Sequence, residues 1–134
     1  MYVDACAIVA LLADEPEAVR VSEALTRASS PITSPIAILE AALALARPDK
    51  FDMSVANAGA IVREFLQERA ITVHDLPPAA QTSKFALDAA QRFRGGRHGL
   101  NLGDCLHYAC ARHYGVPILG TADEYRQTDL EVVE

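Results

Sequence analysis

Cysteine is scarce in this sequence, and its spacing excludes the usual cysteine-based sites. The 134 residues contain three cysteines, Cys6, Cys105 and Cys110. No two of them have the two-residue gap typical of a zinc knuckle or a redox-active pair. Each lies in an apolar segment with helical character, as expected of a free thiol buried in a protein of a reducing compartment. We therefore expect three free thiols and a cytoplasmic protein.

Long hydrophobic runs and signal-like segments are also missing. Every apolar run is interrupted well before the ~20 residues that a membrane-spanning helix needs. The chain starts Met-Tyr-Val-Asp, without the basic segment that opens a signal peptide. The glycines Gly95, Gly96 and Gly99 complete neither a P-loop nor a dinucleotide-binding motif. These absences again favour a cytoplasmic location, and they predict no membrane partner.

Positive charge is in deficit, which bears on the class of partner. The formal net charge is −6 and the pI is near 5.1, so the broad basic surface of a duplex-binding module is excluded. An acidic chain can still act on nucleic acid, because a carboxylate cluster that holds a cation no longer repels phosphate. The hydrophobic fraction of 51% excludes disorder, and the length predicts one domain over residues 1–134.

Short apolar strands alternate with helical segments along the chain. Strands are predicted at residues 2–3, 32–33, 71–74, 116–119 and 130–133. This βαβ alternation predicts an α/β fold, in which helices cover both faces of a short, mostly parallel sheet in three α/β/α layers. The helical segment PIAILEAALALA is apolar almost all round, so we expect it to be deeply buried.

Four acidic residues stand apart from those on solvent-facing helix positions. Asp4 follows a strand, Asp104 begins an apolar helix, and Asp123 follows the strand at 116–119. Glu40 is the only charge in its apolar helix, where an unpaired carboxylate would cost several kcal/mol. Each has a simpler interpretation: a helix cap for Asp4 and Asp104, a turn acid for Asp123 and a structural ion pair for Glu40.

One divalent cation accounts for all four acids together. The carboxyl ends of parallel strands form the ligand crevice of an open α/β sheet, and clustered carboxylates there repel one another unless a cation neutralises them. Oxygen ligands favour Mg²⁺ or Mn²⁺, which activate water and neutralise the charge on a phosphodiester. The acids therefore predict phosphodiester hydrolysis.

Four stretches carry a resemblance to PIN-domain ribonucleases, and most of all to the toxins of VapBC-type toxin–antitoxin pairs. They are VDACAIVALLADEPEA, PIAILEAALAL, GLNLGDCLHYACARHYGVPILG and ADEYRQTDLEVV, which span nearly the whole chain in the family's order. The resemblance implies an α/β/α PIN-like nuclease that is a homodimer and that binds a cognate VapB-type antitoxin. It also implies an Mg²⁺- or Mn²⁺-dependent endoribonuclease that acts on single-stranded or looped RNA.

The same resemblance assigns the site residues. The acidic set of the family falls on Asp4, Glu40 and Asp104, with a fourth position at Asp123 or Glu124, of which we choose Asp123 because it lies nearer the strand end. Asp4 and Asp104 are expected to bind the metal directly, whereas Glu40 binds through water or accepts a proton. Family members often carry serine or threonine just after the first aspartate, and this chain has Ala5 and Cys6 there.

Basic residues and a histidine near the third acid are secondary candidates. Arg92, Arg94, Arg97 and His98 precede the Asp104 helix, and they either hold RNA phosphates or lie in a solvated loop. His107 lies three residues after Asp104 and could approach the metal, although we expect an ordinary core or surface histidine.

Two other functions fit the same acids. One is a catalytically silent PIN-like binding module whose carboxylates grip a basic peptide. The other is a metal phosphohydrolase that acts on a small substrate.

Overall fold

The structure is a computed structural model, and it describes residues 1–121 and 123–134. Over these ranges the chain forms four strands, six α-helices and one 3-10 helix. The strands are β1 (Tyr2–Val3), β2 (Ile32–Thr33), β3 (Thr72–Val73) and β4 (Ile118–Leu119). The helices are α1 (Ala5–Leu12), α2 (Ala18–Arg27), α3 (Pro35–Ala46), α4 (Val55–Glu68), α5 (Ala79–Phe93) and α6 (Leu102–Tyr114), and the 3-10 helix is Asp123–Gln127.

The four strands form one parallel sheet in the order β3-β2-β1-β4. This confirms the predicted α/β fold and its parallel sheet. The strand predicted at residues 130–133 is wrong in extent, because this segment joins the sheet only through a parallel bridge between Ile118 and Val132. The β1 strand is central, so its carboxyl end lies between two neighbouring strands.

Helices cover both faces of the sheet, as the predicted three-layer α/β/α arrangement requires. Successive side chains of a strand point to opposite faces, and in β1 these two faces have different cores. Val3 packs into a core made with α1 to α4, whereas Tyr2 packs into a second core made with α5 and α6. Both side chains are fully buried, which anchors the end of β1 from both sides.

The prediction that α3 is deeply buried all round is wrong. Its inner face buries small residues such as Ala37 and Ala41, but Leu39 and Leu43 on the outer face are 51% and 49% exposed. An apolar pattern on every side cannot distinguish a face that packs on the core from a face left uncovered. Within residues 1–121 and 123–134, none of the helices combines the length and the apolar character needed to cross a membrane.

Candidate metal centre

Asp4 lies directly after β1, at the N-cap position of α1, but its side chain does not cap that helix. The carboxylate is only 3% exposed. Its Oδ2 accepts a hydrogen bond from the Tyr125 hydroxyl at 2.6 Å, and its Oδ1 lies 3.2 Å from His107 Nε2. The simpler interpretation of Asp4 as a cap therefore does not describe its side chain.

Asp104 divides its two oxygens between the helix and the site. Asn101 is the N-cap of α6, and its Oδ1 accepts from the Asp104 backbone N–H at 2.9 Å. In return, Asp104 Oδ2 accepts from the Asn101 backbone N–H at 2.8 Å, which completes a capping box. Asp104 is thus at the third helical position, not at the cap, and its other oxygen lies 3.4 Å from the Tyr125 hydroxyl.

Glu40 reaches the site from α3 and packs against the start of α6. Its Oε2 lies 2.5 Å from His107 Nε2. A side chain at position 103 would collide with it, because a Cβ placed on Gly103 would lie 1.8 Å from Glu40 Oε1. Glycine at this position therefore makes room for the carboxylate. The simpler interpretation of Glu40, a structural ion pair, therefore has a possible partner in His107.

The fourth acid that reaches the site is Glu124 and not Asp123. Asp123 is exposed and pairs with Arg126 at 3.1 Å, outside the site. Glu124 turns inward, and its carboxylate lies with Asp4 and Cys6 in a group whose ligand atoms are all within 4.8 Å of one another. The two neighbours diverge because successive side chains of a 3-10 helix are rotated by about 120°.

These four carboxylates line one open pocket of about 390 Å³ at the carboxyl ends of β1 and β4. Asp4, Glu40, Asp104 and Glu124 come from four separate segments of the chain. This is the edge at which open α/β sheets bind their ligands. The convergence expected for Asp4, Glu40 and Asp104 is therefore present in the geometry, with Glu124 in the place expected for Asp123.

His107 lies closer to the acids than expected. Its side chain is completely buried, as a core histidine would be, yet Nε2 faces both Asp4 and Glu40. Nδ1 lies 2.7 Å from the Tyr2 hydroxyl. Its place three residues after Asp104 was the signal for proximity, because residues at this spacing share a helix face. Of the alternatives left open for His107, the structure has a core histidine that also approaches the acidic residues.

Tyr125 is a site residue that the sequence pattern did not identify. Its ring is fully buried, and its hydroxyl lies between Asp4 and Asp104. Burial first, and then the two carboxylates, raise the pKa of Tyr125 well above its ordinary value, so the hydroxyl stays protonated as a donor. The only local signal was its position directly after the acid pair Asp123-Glu124.

The pocket disfavours the charged form of two of its own carboxyl groups. Burial raises the pKa of Asp104 and of Glu124 above their ordinary values, and the neighbouring carboxylates raise both pKa values further. Burial by itself would lower the pKa of His107, but Asp4 and Glu40 outweigh it and the pKa is raised. All three shifts show that the pocket favours added positive charge.

The donor set of the pocket fits a hard divalent cation. Five acidic side chains line it, the four named above and Glu15, and carboxylate oxygen is the ligand type that Mg²⁺ and Mn²⁺ prefer. One oxygen each from Asp4 and Glu40 lie within 4.8 Å of each other, close enough to bind one ion, and a nitrogen of His107 lies within the same distance of both. Asp4 also belongs to the group with Cys6 and Glu124, so it is common to both groups.

The basic cluster was expected either to hold RNA phosphates or to lie in a solvated loop, and two of its members make contacts outside the acidic pocket. Arg92 pairs with Asp88 and with Asp129, at 3.1 Å in each case. Arg94 lines a different, apolar pocket between α5 and α6. Among the described residues that line the acidic pocket, the positive charges are Arg47 and Lys50, which lie on the segment after α3.

Comparisons with known proteins find similar proteins over nearly the whole chain. A family model described as PIN domain matches residues 1–130. A VapC ribonuclease of Rhizobium meliloti is 32% identical to the chain, over 96% of this chain and 98% of the relative. Ribonuclease VapC36 of Mycobacterium tuberculosis is 34% identical, over 98% of this chain and 91% of the relative.

A solved structure shares the fold. It is the crystal structure of Mycobacterium tuberculosis VapC20, described as a Sarcin-Ricin loop cleaving toxin. The TM-score is 0.75 at 14% identity, and the match covers 96% of this chain and 95% of that chain. At this identity the likeness shows the three-layer fold alone.

Proposed function

Because the chain belongs to the PIN domain family and is related over nearly its full length to VapC ribonucleases, we propose that it is a metal-dependent endoribonuclease. Its biological role in this proposal is that of the toxin in a VapBC-type pair. The observation that carries the proposal is the convergence of Asp4, Glu40, Asp104 and Glu124 on one pocket at the carboxyl edge of the sheet.

Three of the carboxylates have assigned tasks in this proposal. Asp4 and Asp104 hold the metal, because Asp4 is buried at the centre of the site and Asp104 keeps one oxygen free of its capping box. A bound Mg²⁺ or Mn²⁺ supplies a water of lowered pKa and neutralises charge on the phosphodiester. Glu40, whose side chain is 38% exposed, is placed to accept a proton from the attacking water.

The RNA strand needs positive charge beside the acidic pocket, and Arg47 and Lys50 supply it. Both line the pocket, and among the described residues no other lysine or arginine does so. Lys50 pairs with Glu15 and Arg47 pairs with Asp49 at 2.8 Å, so both side chains must exchange a carboxylate for a phosphate when the strand binds. An open pocket that admits a flexible strand suits single-stranded or looped RNA.

The test is RNA cleavage by the purified chain with and without Mg²⁺ or Mn²⁺. We expect Asp4→Asn and Asp104→Asn to abolish cleavage, because asparagine keeps the size of each side chain and removes its charge. The matched pair is Glu124→Gln, which should lose activity, and Asp123→Asn, which should keep it. Cleavage that persists in an excess of chelator would contradict the proposal.

The same assay separates the two other functions. A silent binding module would bind a basic peptide or RNA and cut nothing in the presence of either metal. A small-molecule phosphohydrolase would turn over a phosphomonoester and leave RNA intact. We retain a VapB-type antitoxin and a homodimer as the proposed partners, and co-expression followed by a mass measurement of the purified complex tests both.

A further inference from the structure

His107 connects three of the elements that carry the acidic pocket. It lies on α6 with Asp104, its Nε2 faces the Asp4 that follows β1, and the same atom contacts Glu40 of α3. We propose that His107 is a positioning residue, which holds Asp4 and Glu40 in the arrangement that receives the divalent cation. The inference rests on the proposed function only for the identity of that cation.

The contacts of Nε2 define what the ring does for the two carboxylates. Nε2 lies 2.5 Å from Glu40 Oε2, which is a hydrogen bond, and 3.2 Å from Asp4 Oδ1. An N–H that is donated to Glu40 and also lies beside Asp4 Oδ1 offsets the mutual repulsion of the two carboxylates. The other oxygen of Asp4 accepts a hydrogen bond from Tyr125, so each oxygen of this central acid faces a polar group.

The opposite nitrogen fixes the orientation of the ring. His107 Nδ1 lies 2.7 Å from the hydroxyl of Tyr2, and that hydroxyl lies 2.7 Å from Ser34 Oγ. All three side chains are buried, with exposures of 0% for His107 and Tyr2 and 1% for Ser34. Tyr2 belongs to β1 and Ser34 is the N-cap residue of α3, so the ring is held by the elements that precede Asp4 and Glu40.

Such partners of ligating carboxylates are important for metal affinity. They keep a ligand in the bound geometry before the ion arrives, and their removal typically weakens metal binding by about 10–100-fold. A histidine that served only as a counter-charge would have the opposite effect, because its removal would leave a more negative pocket and tighter cation binding. The direction of the change therefore distinguishes the two roles.

The experiment measures Mg²⁺ and Mn²⁺ affinity by calorimetry on the protein without RNA. We expect His107→Ala to weaken binding by about 10–100-fold. His107→Gln keeps an N–H donor for the carboxylates and should restore part of the affinity. Tyr2→Phe releases Nδ1 while leaving His107 in place, and it should give an intermediate loss. The control is His113→Gln, in the last turn of the same helix, which should bind both ions as tightly as the unmodified chain does.

Each result decides the inference. Unchanged or tighter binding in His107→Ala and His107→Gln would overturn it, and so would an unmodified chain that binds neither ion. If His107→Ala does not give a cooperative thermal transition, His107→Gln and Tyr2→Phe carry the test. Ordered losses of affinity in a protein that cuts no RNA would support the inference and reject the ribonuclease. RNA cleavage with unaltered metal affinity in all variants would reject the inference and support the ribonuclease.

Discussion

The substitution Gly103→Ala tests the site with a single methyl group. Gly103 is the second residue of α6, and the carboxylate of Glu40 occupies the space where a side chain at position 103 would begin. A Cβ at this position would lie 1.8 Å from Glu40 Oε1 and 2.7 Å from Glu40 Cδ. Because real Cβ contacts below 3.0 Å are essentially never found, the carboxylate must move by more than about 1 Å. The substitution therefore displaces Glu40 without altering its charge.

The effect on stability should be small. Alanine is favoured over glycine within a helix by up to about 1 kcal/mol. Against this stands the lost contact between Glu40 and His107, which is worth no more than about 1.5 kcal/mol for a side chain that is 38% exposed. The two contributions nearly cancel, so we expect a melting temperature within about 5 °C of the unmodified chain.

The effect on cleavage should be large. A positioned proton acceptor contributes about 10²–10⁴-fold to a hydrolytic rate, and Glu40 has this role in the proposed mechanism. The rate for Gly103→Ala should therefore fall by about 10²-fold or more, to the level of Glu40→Gln. Single-turnover cleavage of a labelled RNA, with thermal melting of the same preparation, measures both quantities.

Gly59→Ala is the matched control for this experiment. Gly59 lies inside α4, and a Cβ there would meet only Ala42 Cβ, at an ordinary distance of 3.9 Å. We expect this variant to gain up to about 1 kcal/mol of stability and to keep full activity. Full cleavage by a folded Gly103→Ala protein would refute the claim that Glu40 must lie against residue 103. An equal loss in both variants would show that the effect is not local.

Further predictions concern pH, the buried tyrosine and the rim of the pocket. The raised pKa values of Asp104 and Glu124 mean that the folded chain binds these protons more tightly than the unfolded chain does. The contribution of these two groups to metal-free stability should therefore rise as the pH falls from 7 towards the ordinary carboxyl values near about 4, and saturating Mg²⁺ should flatten this melting profile. A melting temperature that falls over that range would contradict the assignment. Tyr125→Phe removes the hydroxyl that donates a hydrogen bond to the buried Asp4. The free energy of unfolding, measured by chemical denaturation, should fall by about 1.5–3 kcal/mol. An unchanged value would show that the hydrogen bond is not made. Arg47→Gln, made in an inactive Asp104→Asn background, should weaken the salt dependence of binding to single-stranded RNA. The slope of log affinity against log salt, measured by fluorescence anisotropy, should fall by about 0.7. An unchanged slope would show that Arg47 is not part of the RNA-binding surface.

Local pattern was sufficient to predict most of the fold. Ser34-Pro35 marks the start of α3 and Gly115 the end of α6, where the glycine adopts a left-handed conformation. Strand and helix periodicity then gives the α/β alternation. Burial of α3 was not predictable in the same way, because its exposed face depends on which helices pack beside it, and that is not encoded in the segment itself.

The candidate site shows the same division between local and long-range information. A strand end, an isolated charge and a helix start directed attention to Asp4, Glu40 and Asp104 respectively. The choice between Asp123 and Glu124 depends on a 3-10 helix, whose orientation relative to the pocket the sequence does not reveal. The part played by His107 depends on partners 67 residues away in Glu40 and 105 residues away in Tyr2, and no local pattern reports such contacts.

The order of the strands has a consequence for the synthesis of the protein. The central strand β1 is paired with β4, so Tyr2 pairs with Ile118, and this pairing forms only after Ile118 has been synthesised. Tyr125 and Glu124, which complete the surroundings of Asp4, leave the ribosome later still. A nascent chain that ends before them lacks part of the acidic pocket, because parallel pairings between distant segments form only when both are available. An enzyme with the proposed activity would thus stay inactive until the segment that contains Glu124 and Tyr125 has been synthesised.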